Sequence, residues 1–355
     1  MYSNKKLNTV LERFVVSQKK YDFKVLTDGF INDTFLVSNN TNPQYVLQRV
    51  NHNVFKNIDG LMGNINTALE ALNDPTYSKI TLIKTNTGKT YSEDDHGYWR
   101  LMTFIDHSTA YNTTTDPNIA FEAGKIIGKF HLLLANSCLD SYVDTIPRFH
   151  DLNLRKKQFE EALTSADSKK IEVSQEAIVF AKKILVKLED LNAIKLPVRV
   201  CHNDTKLNNI LFSENTNTAL CLIDLDTLMK GYFYYDFGDA VRTIANTALE
   251  DEQDHSKIVF DKGLFEALVN GFAANEPFLN AKEIETLPLG AIFMPFIHGL
   301  RALTDYLNNN IYYKVSHENQ NLDRCLSLFD FTQKALNEQE YMKTVVTAKL
   351  LVKKN

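Results

Sequence analysis

Two short apolar runs, each ending abruptly in carboxylates, constrain this chain more than anything else in it. Val198–Cys201 leads into His202-Asn203-Asp204-Thr205-Lys206-Leu207-Asn208-Asn209, and Ala219–Ile223 leads into Asp224-Leu225-Asp226. Runs so rich in Val, Ile, Leu and Cys read as buried strands. Charged groups are costly to bury without partners, so each run must give way to a polar loop. The two loops carry a carboxylate, an ammonium, a carboxamide and two further carboxylates.

The rest of the chain excludes several settings for that chemistry. At 355 residues there is room for two domains or lobes with a real core. Hydrophobic residues at 44% and charged residues at 23% are ordinary for a globular chain. The net charge of −5 offers no global basic field for nucleic acid or anionic lipid. No unbroken apolar run is long enough to read as a membrane span, and MYSNKKLNTVLERF lacks a signal-peptide core. Cys138, Cys201, Cys221 and Cys325 include no CxxC pair and are expected as reduced thiols. The expectation is a cytoplasmic monomer or weak dimer that acts on a small molecule, with neither nucleic acid nor membrane as partner.

Along the chain, residues 34–39 and 45–50 read as a hairpin, followed by a helix from about Asp59 to Leu72. KITLIKT (79–85) and WRLMTFI (99–105) read as two more strands, with NTGKT as the turn after the first. Beyond Ile105 the pattern becomes helical: 121–135, much of 151–194, and long stretches from Phe237 onward, with breaks expected near Pro277, Pro288 and Pro295. The fold class is therefore α+β. The chain divides into a β-rich N-terminal lobe over 1–106 and a larger, mostly helical lobe over 107–355.

Phosphoryl transfer uses the residue types found at the two junctions. A carboxylate orients the attacking hydroxyl, oxygen ligands hold Mg²⁺, and a cation offsets charge on the transferred group. In the protein-kinase catalytic loop the base precedes a metal-binding Asn by five residues. Asp204 and Asn209 have that spacing, Lys206 lies between them, and Asp224 stands where a second metal carboxylate belongs.

HNDTKLNNILF and CLIDLDTLMKGYFYYDFGDAVR resemble the aminoglycoside-phosphotransferase and choline-kinase superfamily, which has the bilobal protein-kinase fold. Within it, DGFINDTFLV, YVLQRVN, WRLMTFIDHSTAYN, FHD at 149–151, TALEDE at 247–252 and LRALTDYLNNNIYY are similar to bacterial N-acetylhexosamine 1-kinases. The resemblance implies ATP and Mg²⁺ as cofactors, with Asp204 as base, Lys206 beside it, and Asn209 and Asp224 as metal ligands. Asp226 would serve a second ion or cap the next turn. His202 would brace the loop, and Asp236 would anchor it. Arg301 and Tyr312 match sugar-binding positions, which residue type alone would assign to a solvated helix face and to the core.

The N-terminal region departs from the kinase pattern. It has no GxGxxG, so the phosphate-covering loop would rely on Gly29, Asn32 and Thr34. The strand that usually supplies a nucleotide lysine offers Gln48 or Arg49, which alternation sends to opposite faces. Glu70 is the candidate partner on the following helix, or else a solvated residue. Adenine would meet the backbone near Phe104, Ile105 and Asp106. The expected reaction makes an N-acetylhexosamine 1-phosphate. The alternatives are the same chemistry on choline, homoserine, methylthioribose or an aminoglycoside, and a non-catalytic nucleotide-binding module.

Overall fold

A computed structural model describes residues 2–17, 20–26 and 31–351. Helix α1 (Asn4–Leu11) precedes strands β1 (Asp22–Leu26), β2 (Asp33–Asn39) and β3 (Asn42–Val50), then α2 (Ile58–Ala71), β4 (Ser92–Asp94) and β5 (Gly97–Thr103). These strands form one antiparallel sheet in the order β1-β2-β3-β5-β4. The expected hairpin is β2–β3, reversed at Asn40 with a left-handed φ of 54°.

Alternation divides this sheet into a core face and a cleft face. Phe35, Val37, Leu47, Trp99 and Leu101 bury one face against Leu7, Val10 and Leu11 of α1. Thr34, Gln48 and Arg100 are direct cross-strand neighbours and stand on the other face.

KITLIKT is extended but is not a strand. Leu82 forms an isolated bridge to Met102, and Ile83 N donates to Leu101 O. The short β4 takes the other part of the β5 edge, and no continuous ladder is left for residues 79–85. The NTGKT turn does form, with Gly88 at φ 83° and Thr85 N donating to Lys89 O.

Helix α2 packs away from the α1 core. Leu61, Met62, Ile65, Ala68 and Leu69 join the core of the C-terminal part. Asn64 Nδ2 donates to Val143 O at 2.8 Å and Leu228 O at 2.7 Å, so the helix is tied to the larger lobe.

Past Thr103 the chain continues through β6 (Ser108–Thr109), α3 (Pro117–Leu133), α4 (Leu152–Ser165), α5 (Ser168–Val173) and α6 (Gln175–Lys187). Strands β7 (Arg199–Cys201), β8 (Ile210–Ser213), β9 (Ala219–Leu222) and β10 (Met229–Gly231) follow. They pair as two small antiparallel sheets, β6-β8-β9 and β7-β10. Helices α7 (Phe233–Ile244), α8 (Lys262–Ala273), α9 (Ala281–Leu307), α10 (Gln320–Asn337) and α11 (Gln339–Leu350) complete the lobe. No disulfide joins the four cysteines; Cys201, Cys221 and Cys325 are buried, and Cys138 is exposed.

Helix α9 runs unbroken through Pro288 and Pro295, where breaks were expected. Each proline removes an intrahelical hydrogen bond, at about 3 kcal/mol in an isolated helix. Burial outweighs that cost here, because most of α9 is enclosed by α4, α7, α10 and α11. Its length and apolar character would suit a membrane span, but 89% of its apolar window is inside the protein.

The α7–α9 crossing is held close by two glycines. A Cβ at Gly238 would meet Gly290 O at 2.1 Å, and one at Gly290 would meet Tyr234 O at 2.4 Å. Backbone lies on both sides, so neither contact can relax by a side-chain rotation. Gly290→Ala is therefore expected to destabilise the protein by about 1–3 kcal/mol through overpacking. A chemical denaturation midpoint equal to that of the wild type would show that the helices can part freely.

Candidate active site

The two junctions meet, and Asp236 of α7 organises the first of them. Its Oδ2 accepts from His202 N at 2.8 Å and lies 2.8 Å from His131 Nε2, while its Oδ1 accepts from Asn203 N at 2.7 Å. Its carbonyl takes the Thr205 hydroxyl at 2.6 Å. Burial alone would raise this carboxyl's pKa, but His131, His202 and these hydrogen bonds hold it below the usual range. The nearby trio His131, Cys201 and Asp236 could hold a metal by proximity. The hydrogen bonds already account for its carboxylate.

The loop has to turn sharply between strands. Asn203 sits at φ 62°, and its Nδ2 donates to Cys201 O at 3.1 Å and Thr227 O at 3.0 Å. Asparagine tolerates this left-handed conformation better than most residues. His202 Nε2 lies 2.9 Å from Ile223 O, and Ile223 N donates to Asn209 O, which stitches one junction to the other. Asp224 is also left-handed, at φ 59°.

Within this frame Asp204 Oδ2 accepts from Asn209 Nδ2 at 2.8 Å and pairs with Lys206 Nζ at 3.1 Å. Burial would raise the Asp204 pKa, yet Lys206, Arg242, His202 and His298 keep it ionised, well below the carboxylate range. Burial pulls Lys206 down, but Asp204, Asp224 and Glu250 hold its ammonium above the ordinary lysine value. Asn209 spends its amide nitrogen on Asp204, so its oxygen remains as an acceptor. Asp224 is raised to about 6, first by burial and then by the charge of Asp226. A hard divalent cation suits such a donor set, since oxygen ligands are what it prefers and its charge would relieve the crowded carboxylates. The residues present fit Mg²⁺.

A cleft of about 420 Å³ runs between the N-terminal sheet and these loops. Asn32, Thr34, Gln48, Phe104, Ile105, Asp204, Lys206, Asn209, Asp224, Asp226, Arg301 and Tyr312 all line it. Gly29 lies outside the described residues.

Two candidates do not reach the cleft. Arg49 shares a face with Leu47 and so turns to the α1 side of the sheet. There it pairs with Asp33 at 2.5 Å, and its guanidinium lies 5.9 Å from the Tyr2 ring. Glu70 is exposed at the end of α2, because the buried stripe of that helix is Leu61, Ile65, Ala68 and Leu69.

Arg100, which the sequence reading missed, occupies the cleft face instead. It is 1% exposed, donates through Nε (3.0 Å) and Nη2 (2.7 Å) to Gln48 Oε1, and ion-pairs through Nη1 with Asp226 Oδ1. Asp226 Oδ2 accepts from Asn32 Nδ2 at 2.7 Å, so both of its oxygens are engaged. The available signal was an arginine in the middle of the apolar strand WRLMTF.

At the far end of the cleft, Arg301 is ringed by aromatic side chains. Its guanidinium carbon is 4.8 Å from the Phe149 ring, 5.8 Å from Tyr312 and 5.9 Å from Tyr313. Asp305 fixes the tyrosine segment by accepting from Tyr312 N at 2.8 Å and Tyr313 N at 3.0 Å. The buried His298 ring also lines this end; its Nε2 lies 3.4 Å from Asp239 Oδ1, and neither nitrogen makes a hydrogen bond among the described residues. Arg324 joins them. The acidic residues of 250–254 do not. Glu250 is held by Arg242 and by Arg324 (2.8 Å), Asp251 accepts from Gln320, and Asp254 caps a turn at Ser256.

The sequence pattern of the phosphotransferase enzyme family matches residues 22–266. Solved structures with the same fold include spectinomycin phosphotransferase in complex with ADP and spectinomycin. It is 12% identical at a TM-score of 0.65, with 95% of this chain and 99% of that one covered. A microcompartment-associated aminopropanol kinase is 15% identical at a TM-score of 0.61, with coverage of 96% and 99%. A choline/ethanolamine kinase family protein from Mesorhizobium loti is 13% identical at a TM-score of 0.60, with coverage of 97% and 99%. The kinase-like α+β fold, with a small antiparallel-sheet lobe and a larger helical part, is common to them.

Asp236→Ala removes the acceptor for two loop amides and for His131, and is expected to destabilise the fold by about 3–5 kcal/mol. Arg49→Ala breaks a partly exposed pair with Asp33 and an exposed hydrogen bond to His96 O, and should cost less than Asp236→Ala, about 1 kcal/mol. Urea melts of the two variants check this contrast, and equal losses would mean that Asp236 does not anchor the loop.

Proposed function

The chain belongs to the phosphotransferase enzyme family, and on that footing we propose that it transfers the γ-phosphoryl of ATP to the anomeric hydroxyl of GlcNAc or GalNAc. The observation that carries the acceptor reading is the charge at the far end of the cleft. Arg301 and Arg324 stand there, and the nearby carboxylates already have partners, Glu250 with Arg242 and Arg324 and Asp251 with Gln320. An amino alcohol or an aminoglycoside would meet guanidinium groups, whereas a neutral polyol with an acetamido oxygen meets donors. The likeness to N-acetylhexosamine 1-kinases at Arg301 and Tyr312 points to the same class.

In the reaction, Asp204 Oδ orients the hydroxyl and receives its proton as the new O–P bond forms and the bond to ADP breaks. The anomeric hydroxyl is more acidic than an ordinary alcohol, so proton removal asks little of a carboxylate held this far into its ionised form. Lys206 steadies Asp204 and lends positive charge near the transferred group. Asn209 and Asp224 would hold Mg²⁺, which supplies charge neutralisation at the phosphates. Phe104 and Ile105, where the lobes join, offer backbone and an apolar wall to adenine, with Val46, Met102 and Leu211 beside them.

Asp204→Asn is expected to lower kcat by about 100-fold or more while leaving nucleotide affinity intact. Phosphorus NMR should show the product phosphate coupled to the anomeric proton. A 6-phosphate, or turnover of choline or homoserine but not of either sugar, would discard the acceptor and leave the phosphotransferase standing.

Arg301→Ala should raise KM for the sugar and leave KM for ATP unchanged, because the rings of Phe149, Tyr312 and Tyr313 hold its guanidinium at the proposed acceptor end. Equal effects on both constants would move Arg301 out of the acceptor site.

A further inference from the structure

In the protein-kinase pattern a lysine on the third strand faces the nucleotide phosphates and pairs with a glutamate on the following helix. Both halves of that pair are missing here. The polar residue that β3 turns to the cleft is the neutral Gln48, and Glu70 of α2 is exposed. A cleft that takes ATP still needs a fixed cation opposite the phosphates.

We infer that Arg100 on β5 supplies this cation and that Asp226 is its carboxylate partner, not a ligand to a second metal ion. The inference rests on the nucleotide-binding reading above. Register puts Arg100 directly opposite Gln48, one strand over and on the same face. Gln48 receives two N–H groups of the guanidinium, while its own Nε2 donates to Thr34 Oγ1 at 3.1 Å. The glutamine that replaces the lysine therefore acts as a seat for the arginine. On the other side, the second junction brings Asp226 to Arg100 Nη1, and Asn32 closes the remaining carboxylate oxygen. Asn32 Oδ1 in turn accepts from Asn51 N at 3.0 Å. The chain Thr34–Gln48–Arg100–Asp226–Asn32 thus links the N-terminal sheet to the catalytic loops. A guanidinium suits this position, because its rigid planar fork turns Nε and Nη2 to Gln48 and Nη1 to Asp226, whereas an ammonium is a compact point charge on a flexible stem.

Asp224 and Asp226 then have separate tasks, although they lie two residues apart. Among the described residues Asp224 makes no ion pair and remains available to a metal, whereas the two oxygens of Asp226 are taken by Arg100 and Asn32.

The test is calorimetry with the non-hydrolysable analogue AMP-PNP and, separately, adenosine. Removing Arg100 alone would strand a buried carboxylate, so the informative variant is the paired Arg100→Gln/Asp226→Asn, which neutralises both sides. It should fold, bind adenosine as the wild type does, and bind AMP-PNP about 10- to 100-fold more weakly, the range expected for charge-assisted hydrogen bonds. Unchanged AMP-PNP affinity, or an equal loss for adenosine, overturns the assignment. In Asp226→Asn alone, Mg²⁺ should still strengthen AMP-PNP binding, and in Asp224→Asn it should not. Loss of the Mg²⁺ effect in both would make Asp226 a metal ligand after all. A wild-type chain that binds neither ligand would instead bring down the nucleotide reading itself, so the two failures are distinguishable.

Discussion

The loop between β7 and Asn209 can carry chemistry only because Asp236 holds it from below. A polar loop on a buried strand has backbone amides with no strand partner, and left unsatisfied each would cost roughly 1–3 kcal/mol. One carboxylate receives His202 N and Asn203 N, and His131 fixes that carboxylate from the other side. The amides then define the turn at Asn203, and the turn aims Asp204 and Lys206 into the cleft. The anchor is itself secured by helix packing. Asp236 rides on α7, and α7 can approach α9 closely only through Gly238 and Gly290. The same crossing sets the position of Arg301 on α9, so one helix contact bears on both the loop and the far end of the cleft.

The site was legible where it is encoded locally and obscure where it depends on pairing between distant segments. Asp204 and Asn209 lie five residues apart in one loop, and that spacing is enough to bring Asn209 Nδ2 to Asp204 Oδ2. Asp224 is likewise predictable, because it ends a run that must be buried. The placement of Arg100 was not, since it comes from standing opposite Gln48 in another strand. Alternation alone separates Gln48 from Arg49 but does not say which face is the cleft. The answer lay in Phe35, Val37, Leu47, Trp99 and Leu101, whose common face is covered by α1. Arg49 is in phase with Leu47 and so belongs to that face.

The misread elements have the same origin. KITLIKT has the composition of a strand, but β4 already occupies part of the edge it would pair with, and only isolated bridges remain. Pro288 and Pro295 are helix breakers in an exposed segment, and they sit inside α9 because that helix is enclosed nearly all round. In each case local propensity was overridden by what surrounds the segment, which a single sequence window does not contain.

The electrostatics of the cleft follow from these placements. Asp204, Asp224 and Asp226 crowd one wall, and three bare carboxylates so close together could not all stay ionised in a low-dielectric site. They are separated by partner. Asp204 has Lys206, Asp226 has Arg100, and Asp224, which makes no ion pair among the described residues, is the group pushed up to about 6 by burial and the charge of Asp226. The deficit of positive charge is thus concentrated at one position, where Asn209 also presents an oxygen. Beyond it, Arg301 has rings but, among the described residues, no carboxylate against its guanidinium, so its donors face the far end of the cleft. A triphosphate with its metal and an uncharged, oxygen-rich acceptor would complete the balance from opposite ends of one cleft.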